Sequence, residues 1–134
     1  VLVQTQPAVN YAFSVSSALT PQSFYEAYCW VVYSCANGES NLIAIWPDLA
    51  QIYQNFDPYT VDRDMATKLE ESVDPEIALG PSQCALMIQL FGWEQFCQQF
   101  IKTSDPKLTL AKLRGLNSMN IQQLGHLLNM KWAD

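Results

Sequence analysis

Three carboxylates at short spacing, Asp57, Asp62 and Asp64, are the closest approach to a cation site in the sequence. A calcium loop needs oxygen ligands at alternating positions and a glycine at its sharp turn. The alternating set stops at Asp64 and the glycine is missing, so these residues read as a solvated helix face. Glu70 and Glu71 are adjacent, and neighbouring helical side chains point about 100° apart, which separates them unless a cleft brings them across a substrate. Ser118 and His126, the single histidine, are eight residues apart on one expected helix. That is about 12 Å along its axis, too far for a base to reach a nucleophile. His126 sits among Leu124, Leu127 and Leu128 and reads as a structural or surface residue. There is no Gly-rich phosphate loop and no close Cys-x-x-Cys pair. The expectation is a non-enzymatic chain with no catalytic residues, no cofactor and no metal.

The four cysteines fall in two pairs on two expected helices. Cys29 and Cys35 would lie about 9 Å apart along one axis, and Cys84 and Cys97 about 20 Å apart along another. Disulfides need Cα separations under about 7 Å, so neither pair bridges internally. Two simultaneous cross-bridges would need equal axial spacings, which these are not, so at most one bridge is geometrically possible. All four read as reduced, core-like thiols.

With catalysis set aside, charge and exposed segments carry the functional reading. The formal net charge is −6, but it is unevenly spread. Eleven acidic side chains face two basic ones through residue 100, whereas Lys102, Lys107, Lys112, Arg114 and Lys131 face only Asp105 and Asp134 beyond it. The segment Lys107-Leu-Thr-Leu-Ala-Lys-Leu-Arg-Gly-Leu116, followed by a second amphipathic helix, resembles in its leucine spacing the helix–extension–helix of SAP-family nucleic-acid-binding modules. The resemblance covers under a quarter of the chain and implies phosphate contacts from Lys107, Lys112 and Arg114. Net negative charge opposes it, because the whole domain is repelled by phosphate. At the other end, Val1 to Tyr25 carries no charged side chain. Val9, Tyr11, Phe13 and Val15 alternate there with small or polar residues, the period-two pattern of a strand. An uncharged, unpaired strand is a template for pairing with another chain.

The elements that must position these residues are punctuated by prolines. Thr20-Pro21, Trp46-Pro47, Asp57-Pro58, Asp74-Pro75 and Asp105-Pro106 each place proline where its missing N–H costs nothing, at a first helical position. The spacing predicts helices over 21–36, 47–54, 58–73 and 81–101, then a hairpin of helices over 108–116 and 120–132 with Gly115 and Asn117 at its bend. Phe24, Tyr28, Val31 and Cys35 form the buried face of the first. The helix over 58–73 is the most polar and exposes Asp62, Asp64, Glu70 and Glu71. The helix over 81–101 is expected at the centre of the core, with Leu86, Leu90, Trp93, Cys97 and Ile101 on one face and a kink at Gly92. Eight aromatic residues between Tyr25 and Tyr59 are too many for one helix face; most should be core and some exposed.

These readings combine into an all-α or α-dominated fold: a compact bundle of five to seven helices around a central helix, with a short N-terminal β arm. Residues 1–19 form the arm and 20–134 the helical domain, ending in a basic hairpin over 102–132. At 134 residues this size supports its own core. The expected function is protein–protein interaction or assembly, through the arm (Val9, Tyr11, Phe13, Val15), exposed aromatics and the acidic helix (Asp62, Asp64, Glu70, Glu71), with a protein partner or a second copy. Nucleic acid through the basic hairpin is the alternative, and a small enzyme the third reading. No stretch reaches the roughly 20 apolar residues of a membrane span, so no membrane partner is expected. A cytoplasmic location is expected, although the chain starts at Val1 and a removed leader would change that.

Overall fold

The computed structural model describes residues 19–61 and 75–128. Six α-helices occur among the described residues, and no strand does. They are α1 (Pro21–Asn37), α2 (Glu39–Ile52), α3 (Pro75–Phe91), α4 (Trp93–Phe96), α5 (Pro106–Leu110) and α6 (Ser118–Leu127). A 3-10 turn over Pro58–Thr60 and a π turn over Cys97–Ile101 complete the order. The helix-dominated class matches expectation. The N-terminal arm with Val9, Tyr11, Phe13 and Val15 lies outside the described residues, as do Asp62, Asp64, Glu70 and Glu71.

α1 occupies the centre, and this corrects the expectation that the 81–101 segment would. It packs on α2, α3, α6 and the 3-10 turn. Every residue from Ser23 to Tyr33 is buried except Glu26, the signature of a helix apolar on all sides. The expected face of Phe24, Tyr28 and Val31 is buried, but Cys35 is exposed. A capping box starts the helix: Thr20 Oγ1 accepts from the Ser23 N–H, and Ser23 Oγ accepts from the Thr20 N–H. Gly38, at φ 80°, ends it and turns directly into α2.

Around α1 the core is largely aromatic. Trp46 meets Trp30 edge-on at 4.9 Å and stacks on Phe56 at 4.5 Å. Phe96 meets Phe24 edge-on at 5.3 Å. Buried phenols need partners, and each is supplied across the fold. Tyr25 Oη donates to the Pro81 carbonyl at 2.7 Å, and the Tyr33 and Tyr53 hydroxyls share a bond. Of the eight crowded aromatics only Tyr59, half exposed at 50%, reaches the surface. Gln54, Asn55 and Phe56 form a left-handed turn at φ 53°, 59° and 59°, a conformation costing about 1–2 kcal/mol per residue. Stacking of Phe56 between Trp46 and Tyr53, and a 2.7 Å bond from Gln22 Nε2 to the Asn55 carbonyl, hold it.

Several boundaries differ from the sequence reading for identifiable reasons. Pro21 and Pro106 open helices, capped by Thr20 and Asp105, and Pro58 opens the 3-10 turn behind Asp57. Pro47 and Pro81 instead lie inside helices. Trp46 has no oxygen with which to cap, and its indole is buried in the aromatic cluster, so α2 runs through Pro47. The expected continuous 81–101 helix is divided among α3, α4 and the π turn. Gly92, at φ 82°, takes a conformation that side chains resist, and it breaks the chain between α3 and α4 rather than kinking one helix. The buried face of α3 also differs from the expected one. Ile88, Cys84 and Ala85 are buried, whereas Leu90 is 80% exposed. The hairpin's bounds also shift: α5 runs over Pro106–Leu110 and stops six residues short of the expected 116, and α6 begins at Ser118, two residues before the expected 120.

Candidate functional site

Residues 111–117 connect α5 to α6 as an extension laid against α1 and α3. Its backbone makes successive i to i+3 bonds, from Lys112 N–H to the Thr109 carbonyl, Leu113 to Leu110 and Leu116 to Leu113. Turns of that kind repeat every three residues, which sends Leu110, Leu113 and Leu116 inward together. Lys112 and Arg114 are left outside. The same spacing that suggested an amphipathic helix is therefore satisfied by a chain of turns.

Several contacts fix this extension from within. Tyr28 Oη donates to the Arg114 carbonyl at 2.5 Å. Gly80 in α3 makes that approach possible: a Cβ there would stand 2.9 Å from Tyr28 Oη and 3.2 Å from the Arg114 carbonyl oxygen, closer than side chains pack. At the far end Asn120 Nδ2 donates to the Gly115 carbonyl at 2.8 Å. Asn117 caps α6 by accepting from the Met119 and Asn120 N–H groups, and Asn120 Oδ1 accepts from the Asn117 N–H. Buried at 2% exposure, Asn120 ties the extension to the helix that follows it.

Beside the extension lies a cleft of about 420 Å³ between it and α3. Tyr28, Cys84, Leu113 and Leu116 are its buried lining residues; Gln83 and Met87 belong to α3, and Lys112 and Arg114 are exposed at its edge. Burial, with a smaller contribution from Cys84 and Cys29, pushes the Tyr28 phenol well up, and the Arg114 guanidinium opposes that shift. The Arg114 charge is thus felt inside the cleft. Burial also pushes the Cys84 thiol up, so it is held protonated and is a poor nucleophile.

Of the residues singled out in the sequence, the fold brings Lys112 and Arg114 together at this cleft. Lys107 is exposed on α5 and does not line it. Ser118 is exposed at the first turn of α6 and His126 is exposed in its last turn. Tyr28, Gly80, Gln83 and Met87 were not expected here. Only Gly80, a helix-weakening residue ahead of Pro81, carries a signal that backbones meet closely at that point. Among the described residues no three His, Cys, Asp or Glu side chains gather where they could hold a metal ion. No helix among them is long and apolar enough to cross a membrane. Comparisons with protein families, curated proteins and solved structures find no match to this chain.

Proposed function

We propose that this chain is a non-enzymatic protein-interaction module, and that its basic extension receives an acidic region of a partner protein. The observation that carries this reading is the rigid presentation of Lys112 and Arg114. Their backbone is anchored by buried leucines, by Tyr28 and by Asn120, so binding costs little ordering of the chain. A protein partner is favoured over nucleic acid because two cations neutralise few phosphates, whereas a short acidic segment is matched by a few charge pairs. The α5–extension–α6 order supports nucleic acid as a second reading. The arm and the acidic residues 62–71 belong to the same proposal as further partner contacts. Among the described residues Tyr59 and Phe91 are exposed aromatics available for it.

The test is a reversal of preference. Replacing Lys107, Lys112 and Arg114 together with glutamate should abolish binding of a glutamate-rich peptide and create binding of a lysine-rich one, since complementarity sets partner choice. A variant that keeps its circular dichroism spectrum and still binds the glutamate-rich peptide would contradict the proposal.

A further inference from the structure

We infer that the cleft under the basic extension is a binding site for a carboxylate carried on a short apolar body. The inference rests on the interaction-module reading only in making a partner's chain terminus one natural source of that group. A volume of about 420 Å³ falls in the range of sites that enclose small ligands. Its chemistry is divided. Met87 offers the accessible apolar surface, with Leu113 and Leu116 buried behind it, while Lys112, Arg114 and the Gln83 amide offer donors at the exposed side. None of the described lining residues is acidic. A planar carboxylate suits the guanidinium fork of Arg114, with Lys112 as a second cation. A phosphate would satisfy the cations but leave the apolar part wet, and a neutral apolar ligand would leave the cations unused. The ligand that uses both parts is an amphipathic monoanion, supplied either by a polypeptide ending in an apolar residue or by a free medium-chain carboxylic acid.

Met87 provides a local probe. In the full chain carrying methyl-labelled methionine, titration with an acetylated peptide ending in leucine, or with octanoate, should move the Met87 methyl resonance. Met119, 83% exposed on α6 and absent from the cleft, serves as the unmoved control. Amidating the peptide's terminus should weaken binding by about tenfold or more, the worth of a charge-assisted contact. Lys112→Gln with Arg114→Gln should produce the same loss, and both side chains are exposed, so the fold is retained. A response to the peptide alone assigns the site to a polypeptide terminus, and a response to octanoate alone to a free acid. A Met87 signal unmoved by either ligand overturns the inference, as does a shift unaffected by amidation or by the double substitution. A glutamate-rich peptide measured on the same sample separates the two proposals: its binding tests the basic surface, whereas the Met87 shift tests the cleft.

Discussion

Glu26 is half-buried in the middle of α1, and burial pushes its carboxyl from the ordinary value of 4.5 up to about 7. The folded protein therefore holds a proton between those two values that the unfolded chain has released. Stability contributed by this group is present below about pH 4.5 and is lost as pH rises through about 7. Glu26→Gln mimics the protonated form, so urea melts should show it more stable than the parent by about 1 kcal/mol at pH 8, allowing for partial solvent screening. At pH 4 the difference should vanish. A constant difference at both pH values would show that Glu26 is not desolvated. The cysteines give a second residue-level expectation. All four are free; Cys35 is exposed, whereas Cys29, Cys84 and Cys97 are buried, and burial raises each of those three thiols. Titration with a thiol reagent should find one fast-reacting group in the native protein and four after unfolding. Recovery of fewer than four would mean that a disulfide forms.

Element by element, the signals that survived are those whose cause is local. Thr20-Pro21 and Asp105-Pro106 cap helices because oxygen ligands and a fixed proline φ act within one turn. Gly38 ends α1 for a similarly local reason. What the sequence left hidden depends on tertiary neighbours. Pro47 lies inside α2, where Trp46 before it has no oxygen to cap a new helix and packs in the aromatic cluster. Leu90 lies outside the core because α3 turns Cys84, Ala85 and Ile88 towards α1, and the break at Gly92 frees the next helix from that register. Lys112 and Arg114 were legible as cations, but the cleft beside them was not, since it depends on Tyr28 and Gly80 arriving from distant parts of the chain. The break is checked by a pair of truncations. Ile88→Ala should cost about 2–4 kcal/mol as a core deletion, whereas Leu90→Ala should stay within about 0.5 kcal/mol. Equal losses would restore the continuous-helix reading.

For the molecule as a whole, an aromatic core around α1 turns a predominantly acidic chain into a scaffold that holds one basic edge in place. Buried thiols are kept protonated, and Ser118 and His126 stand at opposite ends of α6. Under the proposed function the extension meets an anionic partner, and the choice between protein and nucleic acid is a question of charge balance. Phosphate binding draws on many released counterions and falls steeply with salt, while a few fixed cations on a chain of net charge −6 favour a shorter, less charged target. The most direct test compares fluorescence anisotropy of a labelled glutamate-rich peptide and a labelled DNA duplex with the parent protein at about 50 mM and about 200 mM salt, the span over which phosphate contacts reveal themselves. The account predicts peptide binding at the lower salt that weakens at the higher, and no duplex binding at either. Duplex binding tighter than peptide binding, with a steep salt dependence, would contradict it.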